Sequence, residues 1–347
     1  MKLVKFSINM SAGMGSLSDI VDILAKTEFP RDIIIFSGKT SYKIASKYID
    51  RKLSNNDFNV LDIIIYDHKD DSELDKIYSS ISKDKKVGII AIGGGHLIDS
   101  SKYLAYKLGA ELAVIPTILS TNAIASPFSV LWIRGLSLAI RTKVPNIIIG
   151  DYEILKSEPH NFIAAGYGDL MARYTSLFDW RLSYWLGNEN YMDYVEKLVK
   201  SSIKILIKRA DDIKRQNYIG IETMFYTIIT DGYLMALADT TRPVAGSEHL
   251  IAFGIEKVSG KGLHGEQVAL GTIIASYLQN RNWRKIREVL RKVGVPTTAT
   301  ELGLKKEEII KALLIAKSTR QWITILSTGS ISEAKAERIL KYTDIID

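Results

Sequence analysis

Short runs of β-branched and apolar residues alternate with helix-like segments through the first 150 residues, and this alternation constrains the fold most strongly. The runs are DIIIFSG (residues 32–38), LDIIIYD (61–67), VGIIAIGGG (87–95), ELAVIPT (111–117) and NIIIGD (146–151). The segments between them have helical spacing, as in residues 72–83 and HLIDSSKYLAYKLG (96–109). Strands and helices in strict alternation predict a parallel sheet with helices on both of its faces.

The second half of the chain has a different character, because β-branched runs become rare and long helical periods dominate. Residues 157–186 predict one helix that begins near a proline and continues beyond Gly168. Further helices are predicted over residues 191–209, 222–238, 266–278, 283–293, 306–317 and 332–341. The fold class is therefore α/β, with a nucleotide-binding domain over residues 1–152 followed by an all-α domain over residues 153–347. A cleft between two such domains is a common ligand site.

Composition narrows the chemistry. The chain has no cysteine, so any metal must be held by His, Asp or Glu. The net charge is +7, from 46 basic and 39 acidic residues, but these charges are dispersed. The densest basic segment, RNWRKIREVLRK (281–292), has the spacing of a solvated helix face, and we expect no nucleic-acid partner. Neither a secretory h-region nor a membrane span is evident, so we expect a cytoplasmic protein that acts on a small molecule without a membrane partner.

A glycine turn, GGGHLID (93–99), lies between a predicted strand and a predicted helix. Glycines allow a phosphate to approach the backbone, and the N–H groups at a helix N-terminus point towards it. The spacing differs from the G-x-G-x-x-G fingerprint, and a tight turn without a ligand remains an alternative. Asp99 could serve only the helix dipole, and Lys102 could be either an exposed helix residue or a phosphate partner.

A second loop, VIPTILSTNAIASPFS (114–129), follows the next predicted strand. Its small polar residues are Thr117, Ser120, Asn122 and Ser126. Open α/β sheets bind ligands at the carboxyl ends of their strands, which favours a binding loop. An ordinary surface loop is the alternative, although the interspersed apolar residues indicate partial burial.

Histidines are few, and two of the five stand out. His68 lies in a charged loop and is expected to be solvated, while His160 follows a proline and is expected to be structural. His249 and His264 both lie near glycines and could converge with Asp169 on one metal ion. A carboxylate and two imidazoles form a three-ligand zinc site with an open fourth position. From spacing alone, however, two histidines so far apart are more often not ligands.

Several motifs in a fixed order resemble the superfamily of iron- or zinc-dependent alcohol dehydrogenases, glycerol dehydrogenases and dehydroquinate synthases. They are GGGxxxDxxK, IPTxxSxxxIASPF, GxGDxxxxxTxxxDWxL, TRPVAGSEHL, LHGEQVxLGTI and TAxELG. The chain is most similar to the glycerol-1-phosphate dehydrogenase branch, from about Gly93 to the C-terminus. This resemblance implies a dehydroquinate synthase-like fold, one zinc ion, NAD or NADP, and a homo-oligomer.

The resemblance also implies site residues. The cofactor is expected to contact Gly95, His96, Leu97, Ile98, Asp99, Thr117, Ile118, Leu119, Ser120 and Ser126. Zinc is expected at Asp169, His249 and His264. Iron-using relatives carry a histidine where this chain has Arg173, which favours zinc. Lys39 could suit a 2′-phosphate on the cofactor or could simply be solvated.

Two expected substrate contacts depart from the pattern of that branch. Asn122 stands where an aspartate is usual, which removes a charge and a proton acceptor. Phe253 stands where a second histidine is usual. The sequence thus predicts a dehydrogenase that reduces dihydroxyacetone phosphate to sn-glycerol 1-phosphate for archaeal lipid synthesis. The alternatives are a related polyol or alcohol dehydrogenase with another substrate, a dehydroquinate synthase-like lyase, and a divergent inactive copy.

Overall fold

The apolar runs of the first half form a parallel sheet in the computed structural model, which describes residues 9–56, 58–68, 70–82, 86–133 and 136–347. Within these residues, six strands pair in the order β1-β8-β5-β4-β2-β3, and every pair is parallel. Their bounds are β1 Asn9–Gly13, β2 Asp32–Ser37, β3 Asn59–Ile65, β4 Gly88–Gly93, β5 Glu111–Pro116 and β8 Ile147–Asp151. The predicted parallel sheet is confirmed.

Both faces of the central strands are buried, which explains why their sequences do not alternate with polar residues. One face belongs to a cluster that includes Ile33, Ile90 and Ile149, packed against residues of helices α1 (Ile20–Lys26) and α2 (Lys39–Ser54). The intervening residues on the other face, such as Ile89 and Val114, are also fully buried. The edge strand β3 differs, because several of its side chains are exposed.

Several features of the first half were not predicted from the sequence, among them the helix at Ile20–Lys26. Strand β1 was not predicted, since NMSAG lacks a β-branched run. The region after the second loop forms an antiparallel hairpin of β6 (Phe128–Ile133) and β7 (Leu136–Arg141). The helix predicted over residues 72–83 is α3 (Leu74–Ser80), and its predicted end at Lys83 lies outside the described residues.

The helices account for most of the second half. The bounds through α8 are α1 Ile20–Lys26, α2 Lys39–Ser54, α3 Leu74–Ser80, α4 Gly95–Leu108, α5 Tyr152–Lys156, α6 His160–Met171, α7 Arg173–Trp185 and α8 Asp193–Lys208. The remaining bounds are α9 Ala210–Lys214, α10 Tyr218–Ala238, α11 Ser247–Val258, α12 His264–Leu278, α13 Trp283–Val293, α14 Lys306–Ala316 and α15 Glu333–Tyr342. The long helix predicted over residues 157–186 is two helices, and α11 was not predicted. Within the described residues, none of these helices has the length and hydropathy to cross a membrane.

The chain divides into two units. The first comprises Met1–Glu158 and Ile228–Ala236, and the second comprises Pro159–Thr227 and Leu237–Asp347. A segment of α10 therefore belongs with the α/β unit, where Gly232 packs so closely on Ala125 that a Cβ would lie 2.5 Å from the backbone. The border predicted between residues 152 and 153 remains a prediction.

Candidate functional site

Three predicted metal ligands converge within the second unit. Asp169 lies on α6, His249 on α11 and His264 at the first residue of α12. Among the described residues they form a group whose potential ligand atoms all lie within 4.8 Å of one another. Asp169 Oδ1 is 3.3 Å from His249 Nε2 and 3.8 Å from His264 Nε2. Residues up to 95 positions apart in the chain thus meet at one point.

Glycine next to two of the ligands makes this convergence possible. A Cβ on Gly168 would lie 2.3 Å from the carbonyl oxygen of Gly265, and one on Gly265 would lie 1.8 Å from that of Ala165. Real Cβ atoms do not approach a carbonyl so closely, so α6 and the start of α12 pack backbone against backbone. This crossing sets the distance between Asp169 and His264.

Glu248 orients one of the imidazoles. Its side chain is fully buried, and Oε1 lies 3.0 Å from His249 Nδ1. A carboxylate only accepts hydrogen bonds, so Nδ1 carries a proton, and Nε2, which faces Asp169, is the nitrogen that would present its lone pair to a metal ion. Glu248 also accepts a 2.6 Å hydrogen bond from the Thr175 hydroxyl and one from the Gly246 N–H. Such a carboxylate–histidine pair is typical of metal sites.

The electrostatics favour an ionised aspartate. Burial alone would raise the pKa of Asp169, but the hydrogen bond from His249 and the charges of His249, His264 and Arg173 together lower it. Burial would lower the pKa of His249, yet its hydrogen bonds to Asp169 and Glu248 raise it to about 9. Burial lowers the pKa of His264, whose side chain is still 42% exposed.

These residues fit a zinc ion. Ligands about 2.0–2.1 Å from a tetrahedral zinc are roughly 3.4 Å apart, close to the two distances from Asp169 Oδ1. Two nitrogens and one carboxylate oxygen are also donors that zinc accepts. The partial exposure of His264 leaves one side of the group open, as a catalytic site requires.

Phe253 lies beside two of the predicted metal ligands, and Arg320 contacts Phe253. Phe253 follows His249 by one turn of α11, and its ring centre is 6.2 Å from those of both His249 and His264. The guanidinium carbon of Arg320 lies 5.1 Å from the Phe253 ring centre. The sequence reading singled out Phe253 and missed Arg320, because an arginine after α14 carries no motif.

The glycine turn lies in the first unit, where β4 is adjacent to both β2 and β5. Connections run in opposite directions from β2 and β4, so the carboxyl ends of these two strands border a topological switch point, the usual ligand site of an open sheet. Gly94 precedes α4 and has no side chain to cap the N–H groups of its first turn. An anion can therefore approach those groups.

The turn and the second loop pack together. A Cβ on Gly94 would lie 2.7 Å from the Ile118 side chain, and one on Gly95 would lie 2.4 Å from the Thr121 hydroxyl. The Thr117 N–H donates to the Gly93 carbonyl at 3.1 Å. Because these glycines have no side chain, the second loop can pack directly against the turn. Their lack of a side chain also leaves the backbone of the turn accessible.

The other predicted cofactor contacts divide by exposure. His96 is exposed and its Nε2 lies 3.0 Å from the His68 carbonyl oxygen. Ser120 and Ile118 are half-buried. The remaining side chains are buried, namely Leu97, Ile98, Asp99, Thr117, Leu119 and Ser126. Contacts of these ten residues with a cofactor stay predictions.

Lys102 corrects one expectation. It is fully buried, its Nζ lies 2.8 Å from Asp99, and it donates to the carbonyls of Ser126 and Phe128. It is neither an exposed helix residue nor directed at the turn, because these partners hold it between α4 and the second loop. Asp99 is the acidic partner of Lys102 in this ion pair.

Two further polar residues of the first unit, Asn122 and Glu158, lie at the second loop. Asn122 is half-buried and begins a short 3-10 turn, whose carbonyl accepts from Ser126 N–H at 3.1 Å. Glu158 is buried and both its oxygens lie 3.2 Å from the Leu119 N–H. Burial raises the pKa of Glu158 to about 8, although the Leu119 hydrogen bond opposes the shift. The sequence reading missed Glu158, which stands at a domain border without a motif.

The two remaining histidines behave as expected. His68 is exposed, and His160 Nε2 lies 2.9 Å from the Val293 carbonyl oxygen, joining α6 to the end of α13. Neither belongs to the metal group.

Comparisons with known proteins agree with this geometry. Residues 11–159 match the family model described as iron-containing alcohol dehydrogenase. A glycerol-1-phosphate dehydrogenase [NAD(P)+] from Sulfolobus acidocaldarius is 36% identical over 99% of this chain and 98% of its own length. The enzyme of the same name from Pyrococcus furiosus is 34% identical over 100% of both chains. The crystal structure of glycerol dehydrogenase from Schizosaccharomyces pombe has a TM-score of 0.79 at 20% identity, covering 97% of this chain and 89% of that one.

Proposed function

Because this chain belongs to the glycerol-1-phosphate dehydrogenase family, we propose that it interconverts dihydroxyacetone phosphate and sn-glycerol 1-phosphate with NADH or NADPH as the hydride donor. The observation that carries the proposal is the convergence of Asp169, His249 and His264 in a chain whose relatives at full length bear that name. In an archaeal cell this reaction would supply the glycerol backbone of membrane lipids.

Different residues would bind the zinc ion and the dinucleotide in the proposed reaction. Asp169, His249 and His264 would hold the zinc, and the turn at Gly95 with the second loop would hold the dinucleotide. When bound, the nicotinamide supplies a hydride and the zinc supplies Lewis acidity towards a carbonyl oxygen. Glu248 keeps His249 in the tautomer that presents Nε2. Asn122 has no ionisable proton, so the proton required by reduction would come from solvent.

A second candidate is a related polyol or alcohol dehydrogenase with another substrate. The observation that favours it is the Phe253 ring, an apolar group packed against both histidines. An apolar wall there suits a substrate with fewer hydroxyl groups on the side that meets it.

The test is a nicotinamide absorbance assay on zinc-loaded protein. Dihydroxyacetone phosphate, dihydroxyacetone and simple ketones are each offered with NADH and with NADPH. We expect the phosphorylated ketone to have the highest kcat/KM and Asp169→Asn to abolish the activity together with the bound zinc. Faster reduction of an unphosphorylated ketone would favour the second candidate, and no reduction of any substrate would contradict both.

The proposal extends to a cytoplasmic homo-oligomer without a nucleic-acid partner. Support for self-association comes from α7 and α8, where Trp185, Tyr194 and Ile205 are at least half exposed. Light scattering on the purified protein would measure the assembly directly.

A further inference from the structure

Arg320 is a half-buried cation that contacts an aromatic ring next to the predicted metal ligands. Its guanidinium carbon lies 5.1 Å from the centre of the Phe253 ring, and that ring centre lies 6.2 Å from the His264 ring centre. The Phe253 and His264 rings are nearly parallel, with an interplanar angle of 23°. Within the second unit, the Phe253 ring thus contacts the Arg320 guanidinium and lies next to the imidazole of His264, a predicted metal ligand.

The fold fixes this arginine from several sides. Next to it, the Thr319 hydroxyl donates to the Ala316 carbonyl at 2.7 Å and lies 3.4 Å from the Leu250 carbonyl of α11. After it, the Ile323 carbonyl accepts a 2.6 Å hydrogen bond from Arg242. The Arg242 side chain is only 2% exposed, so this anchor is rigid. The backbone on both sides of Arg320 is therefore held in place.

The helix that carries Phe253 is held just as closely to the helix that precedes Arg320. A Cβ on Gly254 would lie 2.4 Å from the Ala312 carbonyl oxygen, so α11 and α14 approach through bare backbone at the residue after Phe253. The face of the Phe253 ring then supports the guanidinium by a cation–π contact. The backbone around Arg320 is thus fixed and the ring restricts its guanidinium, which reduces the entropy lost when the arginine binds a partner.

From these contacts we propose that Arg320 is the residue that binds the phosphate group of the substrate. The inference deepens the proposed function and rests on it. A guanidinium offers paired N–H donors that match two oxygens of a phosphate, and it keeps its charge at any physiological pH. Partial burial also strengthens the attraction between this charge and a bound phosphate dianion.

The dimensions agree with a three-carbon phosphate ester. Three bonds separate the ketone carbon from phosphorus in dihydroxyacetone phosphate, which places phosphorus within about 4.5 Å of that carbon. A guanidinium nitrogen then binds a phosphate oxygen at about 2.8 Å. Two steps, of 5.1 Å and 6.2 Å, lead from the guanidinium carbon to the ring of a metal ligand. The guanidinium carbon is therefore at most about 11 Å from the His264 ring centre, a span that a three-carbon phosphate ester with hydrogen bonds at both ends can bridge.

The experiment compares Arg320→Gln with the parent enzyme on dihydroxyacetone phosphate and on dihydroxyacetone. We expect kcat/KM for the phosphorylated ketone to fall roughly 10- to 100-fold, mostly through KM, as for the loss of a charged hydrogen bond. Turnover of dihydroxyacetone should change by less than about threefold, as for a substitution outside the reacting groups. Arg320→Lys, which keeps the charge and loses the fork, should recover part of the loss.

The matched control is Arg284→Gln. Arg284 also stacks on an aromatic ring, with its guanidinium carbon 4.4 Å from the centre of Trp283, but it lies on α13. This variant should leave both substrates unaffected. If Arg320→Gln lowers activity on both ketones equally, or on neither, Arg320 has only a structural role and the proposal is wrong.

A binding measurement separates this proposal from the proposed function. Glycerol 1-phosphate and glycerol are titrated into zinc-loaded protein by calorimetry, which does not depend on turnover. Weaker binding of the phosphate ester alone in Arg320→Gln would support the anion site even if the parent enzyme reduces no ketone. Unchanged binding of the ester would overturn it even if the enzyme is active.

Discussion

At the scale of single residues, the metal group depends on a partner that is not itself a ligand. Glu248 is buried and contacts His249 Nδ1, Thr175 and the Gly246 N–H. Its negative charge also offsets the excess positive charge that a divalent ion leaves on one carboxylate and two neutral imidazoles. The residue before the histidine is therefore as much a part of the site as the histidine.

We predict that Glu248→Gln weakens zinc binding by roughly 10- to 100-fold, as for other carboxylates behind metal-ligating histidines. The amide can still accept from His249, but it lacks the charge that stabilises the bound ion. Competition with a chromophoric chelator measures the affinity. Glu288→Gln, an exposed change on α13, is the control and should bind zinc like the parent. Equal affinities for Glu248→Gln and the parent would refute this role.

The sequence predicted three side chains that the fold brings together, but not the residues that support them. Asp169, His249 and His264 could be proposed because the chain has few histidines and because each stands in a recognisable motif. Glu248 and Arg320 could not, since their roles arise from side-chain directions that only the packed helices define. The predicted role of Phe253 in the substrate pocket came from its motif, whereas its contact with Arg320 joins segments 67 residues apart and has no local signal.

At the scale of elements, the site depends on how closely helices cross. Gly168 and Gly265 let α6 approach α12, while Gly254 lets α11 approach α14. A Cβ at these crossings forces the backbones apart, and the ligand side chains must move with them. Small residues next to ligands therefore set the geometry of the metal group.

We predict that Gly265→Ala lowers the free energy of unfolding by about 1–3 kcal/mol or more and reduces the zinc content. The new methyl group would lie 1.8 Å from the Ala165 carbonyl oxygen, and the backbone cannot yield without moving His264. Urea unfolding and elemental analysis measure the two effects. Gly329→Ala is the matched control, because nothing lies within 4 Å of its added Cβ. A fully zinc-loaded, equally stable Gly265→Ala would count against the crossing.

The central strands could be predicted from the sequence, whereas helix α11 and the β6–β7 hairpin could not, and each outcome has a physical reason. The central strands were found because burial on both faces makes them continuous apolar runs. Helix α11 was missed, although it carries His249, because its glycine and its two flanking polar segments mask the apolar period. The β6–β7 hairpin was missed because its strands follow a loop rich in small residues, and alternation there is weak.

At the scale of the whole molecule, one buried carboxyl group links stability to pH. Glu158 is buried beneath the second loop, with both oxygens 3.2 Å from the Leu119 N–H. Burial raises its pKa from 4.5 to about 8 in the folded protein. The folded state therefore holds this proton more tightly than the unfolded chain. The associated stability is fully present below about pH 4.5 and is lost as the pH rises towards 8.

We predict that Glu158→Gln becomes progressively more stable relative to the parent as the pH rises through this window. The difference in free energy of unfolding should grow by at most about 1.4 kcal/mol per pH unit, the limit for one proton. Denaturant unfolding at several pH values measures it. Glu153→Gln, an exposed change on α5, is the control. A difference that stays constant with pH would show that Glu158 does not titrate in this way.

The spacing of His249 and Phe253 along α11 has an evolutionary consequence. In the proposed enzyme, His249 binds the ion and Phe253, one turn further along the helix, borders the substrate, so selection could alter substrate preference at residue 253 without changing the metal ligands. Mutation of that single codon would be the simplest way for enzymes of this kind to evolve activity on a different substrate.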